Sequence, residues 1–114
     1  MLVKNAKIIM GTEEVLVDIL IENGRFVKFG KDFVENSQKE VLDANFHYVL
    51  PGIIDAHTHM RTPGFTQKED NISGSKAAIR GGVTTFFDMP NTNPATVTLE
   101  ALEEKRNIYK GNSY

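Results

Sequence analysis

Four side chains that can do chemistry stand at alternate positions of one short segment, namely Asp55, His57, His59 and Arg61. If a β-strand continues through them, all four project to one side, and the Cα atoms of His57 and His59 lie about 6.6 Å apart. Two imidazoles at that separation can bind one cation, and neutral imidazole is a favoured ligand of Zn²⁺. His-x-His also occurs by chance as two solvent-facing rings, but the apolar run before the pair and the turn-forming loop after it favour a metal site.

Two ligands are too few for a tight zinc site, which generally needs three or four. The sequence holds one further histidine, His47, and no cysteine. His47 has no second ligand at a useful spacing, so we expect it to be structural or on the surface. The other ligands must therefore come from elsewhere.

A second polar cluster follows the apolar run 83–88, in the same way that the histidine pair follows the apolar run 53–56. Its members are Asn91 and Asn93. A side-chain amide here can donate to a substrate carboxylate or carbonyl. Asn-Thr-Asn-Pro is equally good turn sequence, because asparagine readily bonds its own backbone. Spacing leaves both interpretations open.

Composition excludes several other classes of protein. The 114 residues carry 13 Lys and Arg against 15 Asp and Glu, so no strongly basic surface indicates nucleic-acid binding. The absence of cysteine excludes disulfides, thiolate zinc sites and cysteine nucleophiles from these residues. No apolar run approaches the roughly 20 residues that span a bilayer, and the first residues, MLVKNAK, lack the apolar core of a signal peptide. We therefore expect a cytoplasmic protein without a membrane or nucleic-acid partner.

The first half of the chain has the period-two pattern of β-strands. Apolar β-branched residues alternate from Val15 to Ile21, and Asn23-Gly24 then forms a tight hairpin turn. We predict an antiparallel β-sandwich module over residues 1–50. Its predicted strands cover residues 7–10, 15–21, 25–29 and 40–42.

After Pro51-Gly52 the pattern changes to strands that alternate with helices, as in a parallel sheet. The Asp70 carboxylate can cap a helix that ends at Gly81-Gly82. In chain order we predict a strand at 53–56, a helix from about 70, a strand at 83–88 and a helix at 98–110. The first helix is expected to present Ile72, Ser75, Ala78 and Ile79 on one side. The second is expected to align Leu99, Leu102 and Tyr109, with Glu103, Glu104 and Lys105 outside.

Length limits what these elements can form. Two βα units in the 62 residues from Ile53 to Tyr114 match the roughly 31 residues per unit of a (β/α)8 barrel. Two units cannot close a barrel, and parallel strands need cover on both faces. We therefore expect an α/β chain in which residues 51–114 are the first two βα units of an incomplete TIM-type barrel, and we expect the chain to be the N-terminal part of a longer protein.

Several motifs together closely resemble the start of the dihydroorotase family, in the cyclic amidase group of the amidohydrolase superfamily. They are LPGIIDAHTHMR (50–61), PG (63–64), KED (68–70), GGVTT (81–85) and DMPNTNP (88–94). The likeness also includes the Asn23-Gly24-Arg25 hairpin, which resembles the small sandwich domain before the barrel. It covers essentially the whole chain.

The resemblance implies roles for matching residues. His57 and His59 correspond to metal ligands of a two-zinc centre, Arg61 to the arginine that pairs with a substrate carboxylate, and Asn91 to the asparagine that assists it. A planar guanidinium suits a carboxylate because it can bind both oxygens. We regard Asp55 as a candidate that supports the metal ligands or the local structure without binding the metal itself.

The implied activity is the metal-dependent, reversible hydrolysis of dihydroorotate to N-carbamoyl-L-aspartate in pyrimidine biosynthesis. The family's bridging carbamylated lysine, two further histidines and the acid–base aspartate occur later than residue 114, so we expect these 114 residues alone to be inactive. The resemblance also suggests a homodimer and a possible association with aspartate transcarbamoylase.

Two alternatives stay open. One is a hydantoinase, dihydropyrimidinase or allantoinase, although Arg61 after His-Thr-His-Met favours a substrate with a carboxylate. The other is a non-catalytic dihydroorotase-like assembly partner, against which the intact His57/His59 pair argues mildly.

Overall fold

The computed structural model describes residues 1–31, 33 and 40–114. These residues form a mixed α/β chain with two units, Met1–Pro51 and Gly52–Tyr114. Within them, no helix has the length and apolar character needed to cross a membrane.

The first unit contains a four-stranded sheet in the order β3-β2-β1-β4. Its strands are β1 (Leu2–Met10), β2 (Glu13–Glu22), β3 (Arg25–Gly30) and β4 (Val41–Asp43). β2 pairs antiparallel with both β1 and β3, whereas β4 lies parallel to β1. The prediction of a purely antiparallel module was therefore wrong for β4. The direction of β4 depends on how the chain crosses back to β1, which strand periodicity does not encode.

The hairpin between β2 and β3 forms where the sequence predicts it. Asn23 and Gly24 adopt φ angles of 51° and 71°, and this left-handed pair suits the twist of a two-residue hairpin. β1 begins at Leu2, five residues before the predicted start. The reason is an irregular register between Val3 and Ala6, where Asn5 has a φ of 54° and the alternation is interrupted.

Apolar residues on facing sides of β1 and β2 form the core of this unit. Val3, Ala6, Val17 and Ile19 are all buried, and Ile19 is only 2% exposed. Antiparallel pairing brings Val3 opposite Ile19 and Ala6 opposite Val17, so the apolar side chains of the two strands pack together.

The second unit consists of two βα pairs in the predicted order. They are β5 (Ile53–Thr58), α1 (Asn71–Arg80), β6 (Val83–Asp88) and α2 (Leu99–Tyr109). β5 and β6 are parallel neighbours, which confirms the parallel pairing expected from the strand–helix alternation. In this register Ile53 pairs with Val83 and Thr58 with Asp88, so both strands end at the same edge.

Both helices begin at capping residues. The Asp70 carboxylate accepts hydrogen bonds from the Ile72 and Ser73 amides at 2.9 and 2.8 Å, as predicted. Thr98 caps α2 by accepting from the Ala101 amide at 3.2 Å. The pKa of Asp70 is lowered because the Ser73 backbone and hydroxyl bond to the charged carboxylate.

The predicted faces of the helices needed correction. On α1 the buried residues are Asn71, Gly74 and Ser75, whereas Ile72 and Ile79 are about half exposed. On α2 the expectation that Lys105 lies outside was wrong, because it is the buried residue of that helix. A lysine scores as polar in any periodicity analysis, and only a buried partner for its charge makes such a position possible.

Candidate functional site

The histidine pair lies where β5 ends. His57 belongs to the strand and His59 follows its last residue, Thr58. Their ring centroids are 5.2 Å apart, with the ring planes at 69°. The structure thus brings the two imidazoles together, as the alternate spacing predicts, at the carboxyl edge of the parallel strand pair.

Arg61 does not continue the strand alternation. β5 ends at Thr58, and Arg61 itself adopts a φ of 61° in the left-handed region. The Arg61 carbonyl accepts a hydrogen bond from the Phe65 amide at 3.0 Å, so the backbone turns here instead of extending. The condition for all four chemical side chains to project to one side, a strand that continues through them, therefore holds for Asp55 and His57 only, because His59 and Arg61 lie beyond the end of β5. Arg61 is half-buried and remains two residues from His59.

Asp55 contacts the backbone of the pair, not its rings. Its Oδ1 accepts a hydrogen bond from the His57 amide at 3.1 Å. This bond supports the end of the strand at a position where the irregular register between Asp55 and Thr58 interrupts the ladder to β6. Asp55 therefore steadies the segment that carries His57.

Asn91 contacts His59 directly. Asn91 Oδ1 lies 2.8 Å from His59 Nδ1, and because an amide oxygen can only accept, the ring donates from Nδ1. The neutral ring then offers Nε2 as its lone-pair nitrogen, the form in which a histidine binds a metal. The sequence associated Asn91 with a substrate, and the contact with His59 was not foreseen.

The loops that follow β5 and β6 are joined by backbone hydrogen bonds. The Met89 amide donates to the Thr58 carbonyl at 2.9 Å, and the Asn93 amide donates to the Pro63 carbonyl at 3.1 Å. These bonds explain why Asn91 reaches a histidine 32 positions earlier in the chain. Asn93 takes part in this connection through its backbone amide.

A buried polar cluster lies beside these loops and was missed in the sequence. Asp88 Oδ2 is 2.6 Å from Lys105 Nζ and accepts a hydrogen bond from the Tyr109 hydroxyl at 2.7 Å. The side chains of Asp88 and Lys105 are only 9% and 10% exposed. The (i, i+4) spacing of Lys105 and Tyr109 on α2 was the available signal, because it puts both on one face of the helix.

The electrostatics of this cluster favour the charged carboxylate. Burial by itself would raise the pKa of Asp88, but hydrogen bonds from Lys105, the Met60 amide and Tyr109 outweigh it and lower the pKa below its ordinary value. Burial and the neighbouring Asp88 charge raise the pKa of Tyr109 far above its usual range. Asp88 is therefore ionised and Tyr109 neutral at physiological pH.

The donor set at the β5 edge suits a metal but does not complete a site. Two imidazoles with adjacent rings are a chemically suitable half of a zinc site, and the Asn91 contact presents one ring in the right tautomer. Among residues 1–31, 33 and 40–114 there is no group of three or more histidine, aspartate or glutamate side chains that could hold a metal ion. His47 is in the first unit, with its Nδ1 2.9 Å from the Ala44 carbonyl.

Comparison with known proteins gives three informative relatives. The chain is 45% identical to a dihydroorotase of Methanosphaera stadtmanae, over all of this chain and 26% of that protein. It is 40% identical to an allantoinase of Salmonella choleraesuis, over 97% of this chain and 24% of that protein. The L-hydantoinase (dihydropyrimidinase) structure from Arthrobacter aurescens superposes with a TM-score of 0.83 at 30% identity, over 93% of this chain and 24% of that one.

These relatives are hydrolases, and the chain spans about a quarter of the length of the curated relatives it matches. The model of the amidohydrolase family matches residues 48–110, which include β5, β6, both histidines and both helices. More than half of the sequence therefore carries the family pattern, and the chain belongs to the amidohydrolase family.

Proposed function

We propose that this chain forms the N-terminal quarter of a zinc-dependent dihydroorotase, which reversibly hydrolyses the cyclic amide of dihydroorotate to N-carbamoyl-L-aspartate in pyrimidine biosynthesis. One observation carries the proposal. The His57 and His59 rings are adjacent, Asn91 contacts the His59 ring, and Arg61 follows His59 by two residues. The 45% identity to a dihydroorotase along the whole chain supports it.

The proposal includes a (β/α)8 barrel that begins at β5. Parallel strands are normally covered on both faces, yet Ile53, Ile54 and Phe87 are 56%, 64% and 57% exposed here. Further barrel strands and helices would bury these side chains. In such a barrel the carboxyl ends of the strands surround the active site, and the His57/His59 pair lies at that end.

His57 and His59 would hold a zinc ion through their imidazoles, with His59 in the tautomer that Asn91 selects. When bound, zinc supplies Lewis-acid polarisation of an amide carbonyl and activation of water at neutral pH. The further ligands and the acid–base group would come from the rest of the protein, so the 114 residues alone would be inactive.

Arg61 would bind the substrate carboxylate. A guanidinium pairs with both oxygens of a carboxylate, which fixes the orientation of the ring as well as its position. Asn91 would assist by donating a hydrogen bond from its amide nitrogen to the same carboxylate, because its oxygen is already bound to His59. The two residues together would orient the cyclic amide relative to the histidine pair.

The test uses the full-length protein that carries this chain. We expect bound zinc, turnover of both dihydroorotate and N-carbamoyl-L-aspartate, and loss of zinc and turnover in His57→Asn/His59→Asn. Arg61→Met should raise KM for the carboxylate substrate by at least 10²-fold, about 3 kcal/mol of lost charged hydrogen bonding. Arg80→Met, which removes an exposed arginine of α1, is the matched control and should keep wild-type kinetics.

A cyclic amidase for another substrate is the second candidate, favoured by the allantoinase and hydantoinase similarities. Turnover of allantoin, a hydantoin or a dihydropyrimidine that is unaffected by Arg61→Met would replace the dihydroorotase proposal with this one. A folded protein that binds no zinc and turns over none of these substrates would indicate a non-catalytic assembly partner.

A further inference from the structure

The residue between His59 and Arg61 is held on two sides. The Met60 amide donates to Asp88 Oδ1 at 2.9 Å, across from β5 to the end of β6. Met60 is 6% exposed, and its sulfur lies so close to Gly74 of α1 that a Cβ atom there would force the Met60 side chain to shift. The main chain that links the metal-ligand candidate to the arginine is therefore anchored at its midpoint.

This anchor acts where the sheet no longer does. The β5–β6 pairing ends with Thr58 opposite Asp88, so His59, Met60 and Arg61 lie beyond the ladder. In a longer ladder the Met60 amide would donate to a backbone carbonyl of the neighbouring strand. The Asp88 carboxylate accepts this amide instead, so the connection between the strands reaches two residues beyond Thr58. Without this bond, the backbone between the end of β5 and the left-handed turn at Arg61 would be less restrained.

Asp88, which accepts the Met60 amide, is itself bound by side chains of α2. Asp88 Oδ2 is bound by Lys105 and Tyr109, and Lys105 Nζ also lies 3.4 Å from the Met89 carbonyl. No buried side-chain nitrogen or oxygen within the described residues lacks a hydrogen-bond partner. With one oxygen engaged by the helix, the other has a defined direction toward Met60.

We propose that Asp88 is a positioning residue. It sets the backbone between His59 and Arg61, so that the metal-ligand imidazole and the carboxylate-binding guanidinium keep a fixed separation. This inference rests on the proposed function, because it takes His57 and His59 as metal ligands.

The test compares double variants of the full-length protein that differ only in the acceptor for Met60. Asp88→Asn/Lys105→Met keeps an oxygen for the Met60 amide and removes both buried charges. Two further variants remove the oxygen as well, namely Asp88→Leu/Lys105→Met and Asp88→Ala/Lys105→Met. Both are made because the comparison needs only one of them to fold. Tyr109→Phe is the structural control, since it weakens the cluster but leaves the Met60 bond in place.

The main readout is binding of Co²⁺ alone, followed by its visible absorption, which reports ligand geometry without any turnover. The asparagine variant should stay within about threefold of wild type in Co²⁺ affinity and keep its spectrum. The leucine or alanine variant should lose 10- to 100-fold in affinity, the usual effect of removing a group that orients a ligand, with a changed spectrum. Tyr109→Phe should lower the melting temperature without changing either.

Equal Co²⁺ affinity and spectrum in the asparagine and apolar variants would overturn the positioning role, and so would a parallel loss in Tyr109→Phe. Hydrogen exchange of the peptide covering 57–62 provides a readout that needs no metal. It should be slow in wild type and the asparagine variant and fast in the apolar variants. A wild-type protein that binds no metal but shows this exchange pattern would refute the proposed function while retaining Asp88 as the anchor of this segment.

Discussion

The two units of the chain bury different kinds of side chain. Among the described residues of the first unit, those that are buried are almost all apolar, namely Leu2, Val3, Ala6, Val17 and Ile19, with Asp18 as the polar exception. In the second unit the buried residues are mostly polar, namely Thr62, Asn71, Ser75, Thr92 and Lys105, and the others are Met60 and Gly74. Apolar burial therefore stabilises the first unit, and specific hydrogen bonds shape the second.

The difference follows from what the strands of each unit contact. β1 and β2 pack their apolar faces into a core of their own. The strands of both units leave large apolar side chains exposed, but β5 and β6 use their polar residues to tie two loops and α2 together. Apolar packing tolerates changes of side chain that keep volume, whereas a buried hydrogen-bond network depends on each partner. We expect the second unit to respond more sharply to single substitutions.

The largest effect is expected from Lys105→Met. The change removes the cation from a pair whose side chains are about 90% buried and leaves the Asp88 charge without an ion-pair partner. Breaking such a pair costs about 3–5 kcal/mol. Hydrogen exchange should accelerate in β5 and β6 and stay unchanged in β1 and β2.

Lys110→Met is the control for this substitution, because Lys110 is an exposed residue at the end of the same helix. It should change stability by less than about 0.5 kcal/mol. Acceleration in β1 and β2 equal to that in β5 and β6 would show that the two units unfold together, and the contrast between them would fail.

Ile19→Ala should have the next largest effect, confined to the first unit. Ile19 is 2% exposed, and truncating a buried isoleucine costs about 3 kcal/mol through lost burial and the cavity left behind. The free energy of unfolding, measured by urea denaturation with exchange to locate the change, should fall while β5 and β6 are unaffected. Ile9→Ala, at a position 55% exposed, should be nearly neutral.

Acid should destabilise the second unit through Asp88. Its pKa is lowered in the folded protein, so its contribution is complete above the unfolded value of about 4 and is lost as the pH falls through the folded value. The protection factors of the β6 amides, which correct the exchange rate for its intrinsic pH dependence, should fall below about pH 4 when measured from pH 6 to pH 3. Asp88→Asn/Lys105→Met should show a shallower dependence, and an identical profile would remove Asp88 as the cause.

The smallest effect is expected at the start of α2. Thr98→Ala removes the hydroxyl that accepts the Ala101 amide and should cost about 1 kcal/mol. Thr98→Ser keeps the acceptor and should restore most of the loss in a thermal melt. Equal melting temperatures for the alanine and serine variants would contradict the capping role.

Local signals made much of the fold predictable. Asn23-Gly24 formed its turn, Asp70 capped α1, and the 98–110 prediction for α2 matched Leu99–Tyr109 with its two caps. Each of these features depends on residues within a few positions of one another, so the sequence contains the whole cause. Lys105 was misplaced because its burial depends on Asp88, 17 positions earlier.

The sequence by itself determined the hairpin, the strand–helix alternation and the phase that pairs His57 with His59, since backbone geometry and side-chain periodicity act over short distances. Only the tertiary structure decided that β4 runs parallel to β1, that Asn91 bonds His59 and that Asp88 takes the Met60 amide. Those contacts join segments about 30 or more residues apart, and the direction of each bond depends on how the strands register. Register is a property of two segments together, so it cannot be read from either one alone.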